Sequence, residues 1–369
     1  MFQNFFKNIK KIIKIKLHFH LPKKKKLLLY DEIHASTLKE IIKKNFNVLK
    51  TREIEIYFWI FLKQIIFLDF KFSTYCKNYI KFTSPKIIIT FNDRKPKFYK
   101  LKDSFKHIYF ISIQNGVHDP SFFKKYNFEK FNCDYFFVLN EYFIRSYKKY
   151  INSKYIVLGN FQNNIVKINK SNSKDNFLLI SQFDKPESNI KLYDFYLKLL
   201  KFINLYFLRS NKKINILLKC KDHTQKEEIA FYKKIFQSNC IFQKSNDWKK
   251  SYQLLDKFEN ILFMHSTLGY ESIARKKKVA IFSPSRISIN SSSKEENFKY
   301  WFGWPAPYQK KYDFFTSRDL SYNEVKRVIN NVKNCRQVTW EKKYYRILKN
   351  QLHLNKQNSK LKKIIFNLL

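Results

Sequence analysis

Glycine is the residue that this chain most nearly lacks. Its 369 residues include only 4 glycines, about 1% of the chain against about 7% in an average protein. Collagen-like and glycine-rich architectures are therefore excluded. The residues in excess, such as Lys, Asn, Ile, Phe and Tyr, have AT-rich codons, so we interpret the shortage as codon drift that spared glycine where the backbone requires it. The survivors are Gly116, Gly159, Gly269 and Gly303.

Other features are also missing. The cysteines number five and form no C-x-x-C pair, which argues against a disulfide framework or a zinc site and fits a reducing cytoplasm. Residues 1–16 lack a small-residue cleavage site, so we expect no secretory signal. The longest apolar run, 56–70, is interrupted by Lys63 and Asp69. It is also shorter than the about 20 residues that a membrane-spanning helix needs.

The sequence contains none of the common nucleotide, hydrolase or metalloprotease motifs. G-x-G-x-x-G, G-x-x-x-x-G-K-[ST], G-x-S-x-G and H-E-x-x-H are all missing. Their absence disfavours dehydrogenases, P-loop NTPases, α/β-hydrolases and zincins. D-x-D, the metal site of one transferase class, is missing as well.

Positive charge is abundant. Lys and Arg number 73 against 29 Asp and Glu, which gives a net charge of +44. Such a charge suits nucleic acid or an anionic membrane. However, it is spread along the whole chain and carried mainly by Lys, as codon drift would produce, and no nucleic-acid-binding motif matches. A nucleic-acid-binding protein is therefore a distant alternative.

The first 25 residues form a basic segment with amphipathic character. Phe2, Phe6, Ile9 and Ile13 recur at helical spacing, with lysines on much of the opposite face. Such a helix either lies on the inner face of the plasma membrane or packs on the protein body. We expect a cytoplasmic protein with peripheral membrane contact as an option.

Strands that alternate with helices predict an α/β fold with parallel sheets. A run such as KIIITF (86–91) is typical of a buried strand, and 54–67 is predicted to be a buried helix. The pattern restarts after the polar stretch 166–176. We therefore predict two Rossmann-like domains that face each other across a cleft. The predicted divisions are the basic segment 1–25, a first Rossmann-like domain 26–168, a second Rossmann-like domain 172–325 and a helical tail 326–369.

In such sheets ligands bind at the carboxyl ends of the strands. The sharpest segment of this kind is 260–282, NILFMHSTLGYESIARKKKVAIF. Ser266 or Thr267 can cap the helix there, beside N–H groups that favour a phosphate. Glu271, one turn later, could reach a ribose hydroxyl. The alternative is an ordinary helix cap with a solvent-facing Glu.

A second segment is 110–120, FISIQNGVHDP. Gln114 and Asn115 end a predicted strand, and Gly116 permits a tight turn. His118 beside Asp119 could act as a general base for a hydroxyl. The alternative is a solvated Asn-Gly turn.

Weaker candidates follow other predicted strands. Asp31, with His34 close by, and Asp93 are candidate catalytic carboxylates. Ser181 and Gln182 follow another strand, and Lys219 and Lys221 could face a diphosphate. A solvated loop residue is the alternative for each of the carboxylates and lysines.

These motifs together resemble a family of surface-carbohydrate biosynthesis proteins, the glycosyltransferase-like proteins of capsule and O-antigen gene clusters. The resemblance covers about residues 27–330. Its segments are SPKIIITFNDRKPKFYKLKDSF, FISIQNGVHD, DYFFVLNEYF, LLISQF, HSTLGYESIARKKKVAIF and FGWPAPYQKKYDFFTS. The chain departs from the family pattern at Lys276, where the pattern has glycine, and at His118, where arginine is common.

The resemblance implies the GT-B architecture and a sugar transfer from a nucleotide donor to a polysaccharide or lipopolysaccharide acceptor. It makes 26–168 the acceptor domain and 172–325 the nucleotide-sugar domain, with the tail 326–369 packing back on the first domain. Ser266, Thr267, Gly269 and Glu271 would then contact the donor, and Gln114, Asn115 and Gly116 the acceptor. GT-B enzymes need no metal for catalysis, so we expect neither metal nor cofactor besides the nucleotide sugar. Alternatives are a sugar-nucleotide epimerase, a polyol-phosphate transferase, or a degenerate transferase kept for complex assembly.

Overall fold

A computed structural model describes most of the chain. The described residues are 16–51, 55–66, 68–117, 120–126, 130–169, 173–183, 190–219, 224–283, 312–348 and 353–369. Residues 1–15, which carry most of the predicted basic segment, lie outside this set, and so does the aromatic loop around Gly303.

The N-terminal half contains eight strands and five α-helices among the described residues. The strands are β1 (Lys16–His18), β2 (Leu27–Tyr30), β3 (Asn47–Leu49), β4 (Glu55–Tyr57), β5 (Ile87–Thr90), β6 (Tyr109–Ile113), β7 (Phe131–Val138) and β8 (Ile151–Val157). The helices are α1 (Ala35–Ile42), α2 (Phe58–Ile66), α3 (Phe72–Thr83), α4 (Pro96–Ser104) and α5 (Glu141–Tyr147).

Six of these strands form one parallel sheet in the order β3-β2-β5-β6-β7-β8. The central strands β2 and β5 are fully buried, since helices cover both faces of such a sheet and each strand must be apolar on both sides. The sheet therefore directs the carboxyl ends of all six strands to one edge.

The second half repeats the arrangement with five strands. These are β9 (Ser173–Ile180), β10 (Ile214–Leu217), β11 (Cys240–Gln243), β12 (Phe258–Phe263) and β13 (Lys278–Ile281). They pair in parallel in the order β11-β10-β9-β12-β13. The helices of this half are α6 (Ile190–Arg209), α7 (Thr224–Phe236), α8 (Trp248–Asp256), α9 (Thr267–Ala274) and α10 (Tyr322–Asn334). The predicted fold class, two Rossmann-like α/β domains, is confirmed.

The C-terminal segment returns to the N-terminal sheet. After α10 come α11 (Gln337–Thr339), a π-helical turn (Trp340–Tyr345), α12 (Arg346–Leu348) and α13 (Ser359–Leu368). Leu361 and Ile365 of α13 are buried in the same apolar cluster as Leu29 and Ile87. Gly159 pairs with Leu354 in an antiparallel bridge. Its φ is +77°, and a Cβ there would lie 1.8 Å from the His353 carbonyl oxygen, so only glycine fits.

The predicted buried helix over 54–67 is wrong in two respects. Residues 55–57 form strand β4, which pairs in parallel with β1. Helix α2 then begins at Phe58, and only Ile60 and Gln64 in it are buried. An apolar run of this length fits a strand or a helix equally well, and nothing within it reveals the partner strand β1.

Candidate active site

A cavity of about 470 Å³ opens at the carboxyl edge of the five-stranded sheet, where β9, β10 and β12 end. Five of the residues predicted to bind the donor line it together: Ser181, Gln182, Lys219, Ser266 and Thr267. Ser251 of α8 and His265 also line it, although the sequence pattern did not single them out. Because parallel strands present their carboxyl ends at one edge, loops distant in sequence meet here.

The α9 side of this cavity presents backbone N–H groups. Ser266 occupies the N-cap position of α9 with φ −75° and ψ 133°, but its side chain makes no capping hydrogen bond. The hydroxyl therefore does not serve the cap that the sequence predicted for it. The first N–H groups of α9 and the positive end of its dipole favour an anion at this point.

A buried polar network fixes the opposite side of the cavity. The Ser181 hydroxyl donates to Glu228 of α7 and accepts 2.8 Å from the Tyr232 hydroxyl. Glu228 Oε1 also accepts 2.8 Å from the Lys219 backbone N–H. Glu228 is fully buried, so its carboxylate would be costly to leave without hydrogen-bond partners, and these contacts supply them. The network joins the β9 and β10 loops beneath the cavity and holds their residues in register.

Gly269 and Glu271 lie away from the cavity lining. A Cβ on Gly269 would come within 2.3 Å of the Phe263 ring, so glycine permits α9 to pack on β12. The Glu271 carboxylate is buried and accepts a hydrogen bond from the Tyr252 hydroxyl. Burial raises its pKa to about 8. Their predicted roles as donor contacts stay predictions, and the contacts described here are with the protein interior.

At the carboxyl edge of the six-stranded sheet, Asp31 is held in an ion pair. Lys95 Nζ lies 2.5 Å from Asp31 Oδ2, and the Thr51 hydroxyl donates to the same oxygen at 3.0 Å. Burial alone would raise the pKa of Asp31, but the hydrogen bond and charge of Lys95 outweigh it and hold the pKa below its usual value. Asp31 is thus an anchored carboxylate with φ +85°.

Asp93 is likewise buried and occupied by neighbours. Its Oδ2 accepts 2.6 Å from the Tyr147 hydroxyl, and its Oδ1 accepts 3.3 Å from the Asn115 backbone N–H. The Gln114 side chain is buried and spans its own loop, donating 2.9 Å to the Gly116 carbonyl and accepting 3.1 Å from the Leu139 N–H. These contacts shape the loop that carries Asn115.

His34 is a functional candidate that the residue pattern named only as a neighbour of Asp31. Its Nε2 lies 2.6 Å from the Asn115 Oδ1, and its ring packs edge-on against Phe91 at 5.1 Å. Because the amide oxygen only accepts, Nε2 carries the proton and Nδ1 is left with its lone pair. Burial lowers the pKa of His34, while the bond to Asn115 opposes this shift.

An exposed ion pair links α1 of the first half to α8 of the second half. Lys249 Nζ of α8 lies 2.7 Å from Glu40 Oε1 of α1. Helix α1 begins directly after His34, and α8 supplies Ser251 to the cavity. The predicted catalytic residues His118 and Asp119 and the predicted donor residue Lys221 lie outside the described residues.

The described residues contain neither a metal-ligand cluster nor a membrane-spanning helix. Over the described ranges, no three His, Cys, Asp or Glu side chains cluster closely enough to hold a metal ion. Within the same part of the chain, every helix is too short or too polar to cross a bilayer.

The fold and the strand-edge cavity define an α/β protein with two Rossmann-like domains. A sequence profile described as "putative O-antigen biosynthesis protein" matches residues 110–368. This is more than half of the chain, and the chain belongs to that family. The expected role in surface-carbohydrate biosynthesis is thereby confirmed. A search of curated proteins finds no match.

Solved structures with similar folds include sugar-nucleotide enzymes. The UDP-GlcNAc 2-epimerase of Methanocaldococcus jannaschii, solved with UDP-GlcNAc and UDP, is 12% identical with a TM-score of 0.50, over 92% of this chain and 99% of its own. A glycosyltransferase of Rickettsia africae is 14% identical with a TM-score of 0.49, over 93% and 98%. TarM of S. aureus is 14% identical with a TM-score of 0.44 over 80% of this chain, which spans only 58% of TarM. At these identities the likeness concerns the fold.

Proposed function

We propose that this protein is a glycosyltransferase that moves a sugar from a nucleotide donor to a surface polysaccharide or lipopolysaccharide acceptor. The observation that carries the proposal is the cavity at the start of α9, lined by Lys219, Ser266 and Thr267. A helix N-terminus with hydroxyl groups and an ammonium group beside it suits the diphosphate of a nucleotide sugar. Membership of the O-antigen biosynthesis family supports a glycan as acceptor.

The proposed mechanism assigns separate roles to the two sheet edges. A neutral His34 Nδ1 takes the proton of the acceptor hydroxyl while its oxygen forms a bond to the anomeric carbon of the sugar. The bond from that carbon to the diphosphate oxygen breaks, and the leaving diphosphate gains negative charge. The α9 dipole and Lys219 stabilise this charge. We propose that the transfer needs no metal, because these groups supply positive charge where it develops.

Asn115 would fix the His34 ring through its 2.6 Å contact. Asp31 and Asp93 stay candidate catalytic carboxylates, but their oxygens are engaged by Lys95, Thr51 and Tyr147. His34 is therefore the better base on geometry. This assignment does not replace His118 and Asp119, which stay candidates outside the described residues.

The test is a donor screen with product analysis. The full chain is incubated with UDP-, GDP-, CMP- and CDP-linked sugars, each with and without a lipid-linked glycan, and products are measured by mass spectrometry. We expect one donor to release its nucleotide while the acceptor gains one sugar. A Ser266→Ala/Thr267→Ala variant should bind that donor more weakly, and Ser146→Ala, on distant helix α5, should bind as wild type does.

Three results would contradict the proposal. If the donor sugar is isomerised without any acceptor, the protein is an epimerase, the activity named for the M. jannaschii structure. If no nucleotide sugar binds, neither activity holds. Transfer of a polyol phosphate from a CDP-linked donor would identify the protein as a polyol-phosphate transferase.

We also propose that the protein is cytoplasmic and touches the inner face of the plasma membrane peripherally. The net charge of +44 favours contact with anionic lipids. A lipid-linked acceptor would require the active site to work close to that surface.

A further inference from the structure

A surface of the N-terminal half, away from the cavity, exposes large apolar side chains. We call it the α2 patch and define it by five residues with their exposed fractions: Phe19 (66%), Trp59 (51%), Ile66 (68%), Leu68 (78%) and Phe70 (61%). Single exposed apolar residues are common, but a contiguous group marks an interaction surface.

One direct contact and helical spacing group Phe19, Trp59 and Ile66, and the turn after α2 adds Leu68 and Phe70. Trp59 Nε1 donates 2.6 Å to the Phe19 carbonyl. Ile66 lies seven residues beyond Trp59, about two turns along the same face of α2. Phe70 follows the end of α2, and its ring lies 6.3 Å from that of Phe61 in the helix. The patch therefore extends along α2 from β1 to the turn that follows the helix.

Leu68 adds a second sign of function. Its φ is +50°, a left-handed conformation that side chains other than Gly, Asn and Asp rarely adopt. Its side chain is the most exposed of the patch, so its burial contributes little to folding. Left-handed residues also end other helices of this chain, as at Lys43 and Ser84, so it is the exposure of the Leu68 side chain that indicates a contact outside the molecule.

The charges around the α2 patch select its partner. The two segments that supply the patch also carry exposed lysines, which we call its rim, namely Lys16, Lys23, Lys24, Lys63 and Lys71. The acidic residues of segments 16–26 and 55–77 are Glu55 and Asp69. Glu55 pairs with Lys50 at 2.9 Å, and Asp69 accepts from the Thr74 hydroxyl at 2.7 Å. The rim is therefore cationic. A second copy of the chain would bring like charges together, whereas anionic headgroups would complement them.

We propose that the α2 patch docks the protein on an anionic lipid bilayer. Trp59, Phe19 and Phe70 would enter the headgroup region, where amphipathic and aromatic side chains are stable. The lysines of the rim would contact lipid phosphates. This inference rests on the membrane contact proposed above and names the surface that makes it.

The test is co-sedimentation of the full chain with vesicles of phosphatidylcholine alone, or with about 30% phosphatidylglycerol to give an anionic surface. The patch variant is Ile66→Gln/Leu68→Asn/Phe70→Ser. The matched control, Leu208→Gln/Ile241→Thr/Val338→Gln, removes three exposed apolar side chains elsewhere. We expect the patch variant to bind anionic vesicles at least about tenfold more weakly. The control should stay within about twofold of wild type.

Each of the other outcomes would overturn one part of the proposal. If the wild type binds neither vesicle, the membrane contact itself fails. If the wild type and the patch variant bind anionic vesicles equally, the α2 patch is not the docking surface. If the patch variant loses only self-association in analytical ultracentrifugation, the patch joins copies of this chain instead.

Folding and the active site are checked separately. Circular dichroism and thermal unfolding establish that the variants fold, and nucleotide-sugar binding should be unchanged in each. If the triple variant does not fold, Leu68→Asn alone carries the test, because Asn tolerates the left-handed conformation. That variant should bind anionic vesicles about threefold more weakly, and wild-type binding by it would overturn the assignment.

Discussion

Arg275 Nη1 donates a 2.7 Å hydrogen bond to Asn163 Oδ1, and so joins the end of α9 to the segment that leaves the six-stranded sheet. The same guanidinium pairs with Asp256 and donates to the Val166 and Lys167 carbonyls. Arg275 is buried, so each of its donors needs a partner. Helix α9 therefore has one end in the cavity and the other tied to the connection between the sheets. A change in the angle between the two halves would move the cavity wall.

Glu271, one turn before Arg275, should make stability depend on pH. Its pKa of about 8 lies above the ordinary value of 4.5, so the folded state keeps a proton that the unfolded chain loses. Stability from this group is fully present below about pH 4.5 and is lost as pH rises toward 8. Glu271→Gln should remove that decline, which we expect to exceed about 1 kcal/mol. Urea unfolding at pH 5 and pH 8 measures it, with the exposed Glu227→Gln as control. A decline of equal size in all three proteins would contradict the prediction.

Lys219 should contribute to nucleotide binding through its position at the carboxyl end of β10. Lys213 precedes the same strand and is equally exposed, but lies at the opposite edge of the sheet. Lys219→Ala should raise the Kd for the donor that the screen identifies about tenfold, or about 1.4 kcal/mol. Lys213→Ala makes the same change in net charge and should leave the Kd within about twofold. Titration calorimetry tests this, and equal losses would indicate only a general effect of charge.

Ser266 and Ser321 occupy the same helical position with different consequences. The Ser321 hydroxyl caps α10 by accepting from the Glu324 N–H at 3.3 Å, whereas Ser266 makes no such bond. Ser321→Ala should therefore lower the free energy of unfolding by about 1 kcal/mol, and Ser266→Ala by less than about 0.5 kcal/mol. Only Ser266→Ala should weaken binding of the donor that the screen identifies. A large stability loss in Ser266→Ala would show that its hydroxyl serves the helix.

Replacing Lys276 with glycine should stabilise the protein. Its φ is +62°, a conformation that costs a residue with a Cβ about 1–2 kcal/mol. Lys276→Gly should raise the free energy of unfolding by about 1 kcal/mol. Measuring it in a Glu341→Gln background removes the exposed 3.2 Å Lys276–Glu341 pair from both proteins. As control, Lys257→Gly at φ −64° should destabilise, because glycine has no advantage there. Destabilisation by both changes would refute the prediction.

His34 should control the acid limb of the transferase pH profile. A base must be neutral, and burial lowers the pKa of His34, so activity should persist below the pH expected for an exposed histidine. His34→Gln should lower kcat about 100-fold or more while KM changes little. Asn115→Ala removes the bond that opposes the shift, so the limb should move to lower pH. If Asn115→Ala leaves the limb in place and His34→Gln keeps wild-type kcat, another residue is the base.

Much of the fold could be predicted from the sequence because its signals are local. KIIITF predicts a buried strand by itself, and the polar residues that follow each strand predicted which loops would meet at a carboxyl edge. The five predicted donor residues that line the cavity follow from this rule. The left-handed turn at Lys276 agrees with the family pattern, which has glycine there.

What the sequence could not reveal depends on long-range contacts. Nothing near Ser181 indicates that Glu228 and Tyr232, about fifty residues further on, complete its network. His34 gains its role from Asn115, which lies 81 residues away. The sequence predicts that Glu271 faces solvent or a ribose, because helical spacing alone does not show that its side chain turns toward Tyr252.

The packing of α13 sets an order for biosynthesis. Leu361 and Ile365 complete the apolar layer over Leu29 and Ile87, so the half of the molecule that leaves the ribosome first is finished last. Until those residues emerge, that face of the early sheet is covered only in part, by residues such as Leu38 and Ile41 of α1, and the rest stays open to chaperones or to mispairing. Truncations that stop short of residue 361 should therefore harm the N-terminal sheet more than the C-terminal one. Helix α13 is translated after both sheets and thus decides when the first domain becomes native.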